Sequence, residues 1–170
     1  MAAFADRLVL RIRRLGHPLC VGLDPHLERI PPLFRQGSMA PGDPRTAEAV
    51  EAFGRAVIAR VAARAAALKP QSAFFEALGP PGVAALGRLV AEARRAGLPV
   101  VLDAKRGDVG STAAAYARAY LGPGAPLRSD ALTVNPYLGA ETLEPFVEAA
   151  AAGEAGLFVL VKTSNPGSAD

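Results

Sequence analysis

The sequence is built on a repeated unit: a short apolar run that ends on polar residues and is followed by a helix-forming stretch. PLCVGLD (18–24), AALKP (66–70), LPVVLDAK (98–105), DALTVNP (130–136) and GLFVLVKTS (156–164) are the five runs. Strands that are apolar on both faces and alternate with helices imply parallel pairing with right-handed crossovers. Before the first run, Phe4, Leu8 and Ile12 share one face of FADRLVLRIRRL (4–15) with arginines opposite, which predicts an amphipathic helix. Pro25 and the stretch from Leu27 to Pro44, with Pro31, Pro32 and Pro41, predict a long loop. Thr46 is expected to cap a helix from Ala47 to about Ala66, and Pro81 to open one that stops at Gly97. Ser111 is expected to cap Thr112–Leu121, and a last helix is expected from Gly139 to about Ala152.

Two architectures share this pattern, a doubly wound sheet and a (β/α)8 barrel. A doubly wound nucleotide binder carries a Gly-rich turn after its first strand, and Gly22-Leu23-Asp24-Pro25 is not one; no GxxxxGK[ST] occurs either. Every strand instead ends in polar residues: Asp24, Lys69 with Gln71, Asp103 with Lys105, Asn135, and Lys162 with Thr163 and Ser164. A site that draws groups from each successive strand end is what the C-terminal mouth of a barrel provides, whereas a doubly wound sheet gathers its site at one switch point. Strand ends recur roughly every 35 residues, close to the roughly 30 per βα unit of a 250-residue barrel. The expected fold is therefore a (β/α)8 TIM barrel in one domain over residues 1–170, of which the chain supplies the N-terminal helix and the first five strands. A sheet of that kind has two open edges. The expectation is that the 170 residues are part of a longer enzyme, inactive and prone to aggregate by themselves.

Composition narrows the chemistry. Among 19 basic residues only Lys69, Lys105 and Lys162 are lysines, in a chain that otherwise uses arginine for its positive charge. Lysine is compact and can give up a proton, while arginine cannot, so these three positions are where chemistry is expected first. A net charge of +3 with scattered arginines disfavours nucleic-acid binding despite a pI near 9.4. No apolar run approaches the roughly 18 residues that span a bilayer, and the N-terminus lacks the pattern of a secretory signal. Cys20 has no cysteine to pair with and is expected in the core, and no Cys/His spacing resembles a zinc site. A soluble cytoplasmic protein is expected.

LDAKRGDVGSTAAAYA (102–117) resembles the DxKxxD signature of the orotidine 5′-phosphate decarboxylases, in the DAKRGD form of a bacterial subgroup. CVGLDP (20–25), LKPQSAFFE (68–76), TVNPYLG (133–139) and VLVKTSNPGS (159–168) extend the resemblance in family order from about residue 16 onward. It implies orotidine monophosphate as substrate, UMP as product, no cofactor, no metal, and a homodimer with shared sites. Asp103 and Lys105, two apart on a strand, would point to one face. Loss of CO₂ from the pyrimidine leaves a carbanion with no π-system to spread its charge. A fixed ammonium beside that carbon stabilises the charge and then delivers a proton. The resemblance makes Lys105 that proton donor, in a chain of alternating charges with Lys69, Asp103 and Asp108. It further implies that Asp108 and Thr112 serve the partner's site, that Asp24 and Lys69 hold the ribose hydroxyls, and that Ser164 reads the pyrimidine amide edge. Asn135 is a further candidate substrate contact, although a residue before Pro136 better suits a turn that satisfies backbone groups.

The bland reading of Asp103–Lys105 is an ion pair closing the barrel mouth, and Lys162 is more readily a structural charge than a functional one. Three other functions fit a barrel of this kind: a Mg²⁺-dependent sugar-phosphate decarboxylase or aldolase of the same superfamily, a Schiff-base aldolase using Lys105 or Lys162, and a non-catalytic half-barrel acting as a binding module. The phosphate-gripping groups that the resemblance implies would lie in later βα units.

Overall fold

A computed structural model describes residues 3–169; Met1, Ala2 and Asp170, which the expected domain bounds include, lie outside the described residues. The elements run α1 (Phe4–Leu15), β1 (Cys20–Leu23), α2 (Pro44–Val61), β2 (Ala67–Pro70), α3 (Ser72–Glu76), α4 (Gly79–Arg95), β3 (Val101–Arg106), α5 (Gly110–Tyr120), β4 (Ala131–Val134), α6 (Glu144–Gly153) and β5 (Gly156–Val159). All pairings are parallel and join sequence neighbours: β1 with β2, β3 with β4, and β4 with β5. Bridges at Leu68–Val100 and Gln71–Asp103 join β2 to β3, so the five strands form one arc in sequence order. A doubly wound sheet reverses its strand order part-way, and this arc does not.

Side-chain alternation divides the strands into two faces. Leu68, Val100, Leu102, Leu132 and Val134 enter the large core that the strands share with Ile58 of α2, Leu86 and Leu89 of α4, and Phe146 of α6. Ala67, Val101 and Ala131 face the concave side, where Phe4 and Leu8 of α1 pack on them. Next along the same three strands stand Lys69, Asp103 and Thr133. The concave side is thus layered, apolar near the strand starts and polar near their ends. Arg11 of α1 donates to the carbonyls of Ala62, Ala65 (2.9 Å) and Gly97 (2.9 Å), so α1 is tied across the start of the strands and closes that end of the arc.

Several local expectations are corrected. The α2 cap is Asp43, whose carboxylate accepts from the Arg45 N–H at 3.0 Å with Pro44 at the first helical position, the arrangement that leaves fewest unsatisfied donors. Thr46 lies inside the helix, fully buried, and its hydroxyl donates to the Ala40 carbonyl at 2.7 Å. The helix ends at Val61 rather than near Ala66. Ser111 is not a cap either, because α5 begins at Gly110, two residues before the expected Thr112, with Val109 at the cap position. The stretch after Gly139 opens as a 3₁₀ turn over Ala140–Leu143 before α6 begins. An additional short helix, α3, lies between β2 and α4. β5 covers Gly156–Val159 and does not reach Ser164; it has a neighbour on one side only, and Phe158, Val159 and Val161 are exposed. Cys20 is exposed rather than core, since β1 is likewise an edge and the residue faces the concave side.

Candidate active site at the strand ends

The polar layer converges on one carboxylate. Asp103 is 6% exposed, and its two oxygens accept four hydrogen bonds. Lys69 Nζ (2.9 Å) and Gln71 Nε2 (3.0 Å) donate to Oδ2, while Lys105 Nζ (2.6 Å) and Thr133 Oγ1 (3.0 Å) donate to Oδ1. Burial by itself would raise the Asp103 pKa. The hydrogen bonds from Lys105, Lys69 and Thr133, with the Lys69 charge, outweigh it and hold the group below its ordinary value. Asp103 is therefore a carboxylate that fixes two ammoniums at the rim of the arc, and charge-assisted bonds of this kind are the strong ones.

Lys105 reaches Asp103 by a route that simple alternation does not describe. Between the pairs Leu102–Leu132 and Arg106–Val134, three residues of β3 stand against Thr133 alone, so the strand bulges at 103–105. Lys105 takes φ +48°, a left-handed conformation that costs a non-glycine residue roughly 1–2 kcal/mol. The bulge lifts its side chain to the rim, where it is 44% exposed while its amine stays on Asp103. Lys105, Gly107, Asn135, Tyr137 and Leu138 line a pocket of about 190 Å³ there. A Cβ on Gly107 would sit 2.5 Å from the Asn135 carbonyl oxygen, so the loops after β3 and β4 meet at a contact only glycine allows.

The other expected residues are distributed around this centre. Asp24 stands exposed at the end of β1, and Thr112 stands exposed in the first turn of α5. Asp108 is not part of the cluster: its Oδ1 accepts from the Val109 N–H at 2.7 Å, and the alternating chain within this subunit is Lys69–Asp103–Lys105. Asn135 Oδ1 accepts from the Tyr137 N–H at 3.0 Å, so its side chain forms the turn. Ser164 and Lys162 are exposed beyond β5, and Lys162 has no ion pair with another described residue. Arg106, inside the same motif, turns outward to Glu76 and the rings of Tyr116 and Tyr120. Sequence reasoning did not assign roles to Gln71 and Thr133. A glutamine just past a strand end and a hydroxyl inside the otherwise apolar ALTV strand were the available signals.

Residues 17–170 match the family model described as the orotidine 5′-phosphate decarboxylase / HUMPS family. The chain belongs to that family. The orotidine 5′-phosphate decarboxylase of Rhodopirellula baltica is 50% identical over 171 residues, covering 98% of this chain and 57% of the relative. That of Streptomyces coelicolor is 51% identical over 166 residues, covering 98% and 56%. The structure of Leishmania donovani OMP decarboxylase superposes with TM-score 0.76 at 40% identity, over 98% of this chain and 56% of that one. A Streptomyces avermitilis crystal structure provisionally given the same name reaches TM-score 0.86 at 49% identity, over 99% and 56%. The chain thus spans a little over half the length of these decarboxylases, and its arc is part of a (β/α)8 barrel. Among the described residues no helix is long and apolar enough to cross a membrane, and no group of three or more His, Cys, Asp or Glu side chains is placed to hold a metal ion.

Proposed function

We propose that the protein carrying this chain decarboxylates orotidine 5′-phosphate to UMP at the mouth where β2, β3 and β4 end, as a cytoplasmic enzyme without a cofactor. The observation that carries this reading is Asp103, buried and ionised, with Lys69 and Lys105 both donating to it. Breaking the bond between C6 and the carboxylate releases CO₂ and leaves the electron pair on C6. The Lys105 ammonium sits beside that charge, stabilises it, and gives up its proton to form C6–H, after which the amine regains a proton from water. Lys69 and Asp24 hold the ribose hydroxyls, Ser164 reads the amide edge of the base, and Asn135 shapes the loop against which the nucleotide rests. Asp103 keeps both ammoniums in place and, next to the substrate carboxylate, favours its departure.

In this reading the protein works as a homodimer. Asp108 and Thr112 lie off the cluster of their own subunit, on the loop and first helical turn after β3, and serve the partner's site. The test uses absorbance to follow conversion of orotidine 5′-phosphate to UMP. Lys105→Ala is expected to abolish turnover and Lys105→Arg to leave only a trace, because a guanidinium attracts charge but is a poor acid. Turnover is expected to be indifferent to EDTA; loss on chelation and recovery with Mg²⁺ would contradict the reading and favour a sugar-phosphate lyase of the superfamily. Mixing Lys105→Ala and Asp108→Ala dimers is expected to regain about a quarter of the wild-type rate, since half the dimers would be mixed and each would hold one intact site. No regain on subunit exchange would place Asp108 outside the partner's site.

A further inference from the structure

Thr133 occupies a position that the chemistry above does not explain. Its hydroxyl accepts from two consecutive backbone N–H groups, Ala104 at 3.0 Å and Lys105 at 2.8 Å. A hydroxyl has two lone pairs and one proton. Both lone pairs are engaged by these donors, so its proton goes to the remaining neighbour, Asp103 Oδ1, at 3.0 Å. One buried side chain therefore takes the place of the missing ladder bonds at the bulge and, by the same atom, orients the carboxylate that holds both ammoniums. A left-handed backbone at a non-glycine residue persists where its surroundings over-determine it, and the Lys105 N–H is held by the Thr133 hydroxyl.

We propose that Thr133 is a positioning residue for the decarboxylation reaction: its hydroxyl locks the β3 bulge and thereby sets the height and direction of the Lys105 amine. The inference rests on the proposed function for its catalytic consequence but not for its structural one. It commits to the hydroxyl rather than to the volume or β-branching of the side chain. The bulge itself shows why a single atom suffices. Three residues of one strand stand against one residue of the next, and the Ala104 and Lys105 N–H groups converge on the Thr133 hydroxyl.

The test compares Thr133→Val, which keeps the shape and removes the hydroxyl, with Thr133→Ser, which keeps the hydroxyl and removes a methyl. Amide hydrogen exchange, read residue by residue on the whole protein, is the first measurement. In Thr133→Val the Ala104 and Lys105 amides are expected to exchange about tenfold faster or more, with the Leu102 and Leu132 amides unchanged as the report on the fold. In Thr133→Ser all four are expected to stay as in wild type. The second measurement is steady-state kinetics with orotidine 5′-phosphate. Thr133→Val is expected to lower kcat on the order of 10²-fold with KM little changed, because a misplaced amine costs the chemical step more than binding, and serine is expected to restore most of it. Wild-type protection of Ala104 and Lys105 in the valine variant would overturn the proposal, as would failure of serine to restore it. A wild-type protein that does not turn over the nucleotide would sink the functional reading while leaving the exchange test to decide the role of Thr133.

Discussion

Among single residues, Asp103 and the groups that share its two oxygens decide the character of the site. Its pKa is lowered in the fold, so ionised Asp103 stabilises the native state above the ordinary unfolded carboxylate value of about 3.9. That stability is lost as the pH falls through the lower folded value. The expected outcome is a stability advantage of wild type over Asp103→Asn in urea unfolding that is full at neutral pH and shrinks once the pH drops below about 4. An advantage that grows on acidification would contradict the pairing with Lys69 and Lys105. Asp103 and Lys105 were legible because lysine is scarce and both stand at a strand end. Thr133 was not, since a threonine in a strand satisfies β-propensity without further explanation. The bulge was illegible for a related reason: LPVVLDAK reads as regular alternation, and only the pairing with β4 reveals the extra residues.

At the scale of elements, the helix–strand rhythm was legible because apolar runs and helical periodicity are strong signals over ten or more residues. The ends were less so. Thr46 and Asp43 are both good cap residues, and the choice between them rests on Pro44, which suits the first helical position and so makes Asp43 the start. The short α3 escaped because five residues do not establish a period. Its packing against α4 gives a prediction in which two effects compete. Gly82 lies inside α4, where replacing glycine by alanine favours the helix by about 1 kcal/mol on propensity alone. A Cβ there would stand 2.1 Å from the Phe75 carbonyl oxygen and 2.6 Å from the Leu78 Cβ. The contact is with rigid backbone, so overpacking at a typical cost of about 1–3 kcal/mol decides the sign. Gly82→Ala is expected to lower the midpoint of chemical unfolding; a variant more stable than wild type would show that α3 and α4 separate at little cost.

At the scale of the whole molecule, five parallel strands in sequence order make an arc whose concave side is apolar at one end and charged at the other. Closure of the apolar end by α1 makes the charged end the accessible one, which is why the lysines collect at the strand ends and not beneath. A larger cavity of about 460 Å³ lies at the α1 end, among Arg7, Arg11, Arg14, Arg94 and Asp130. Its arginines are largely committed, Arg11 to helix-end carbonyls and Arg7 and Arg94 to Asp130. At the two edges, Leu19 just before β1 and Phe158 and Val159 of β5 are exposed. Residues 1–170 alone are therefore expected to self-associate with rising concentration in light scattering, and a monodisperse monomer would contradict this reading of the edges. The barrel class was legible from the polar strand ends, whereas the layering depended on which alternate residues the arc turns inward.

In the proposed reaction the amine of Lys105, carried on the β3 bulge and held by Asp103, meets the C6 carbon of the pyrimidine. A crystal structure of the protein with UMP bound would show this contact. Lys105 Nζ is expected within roughly 3 Å of C6 and still bonded to Asp103. A nucleotide seated away from the strand ends, or a Lys105 amine turned from the base into solvent, would contradict it.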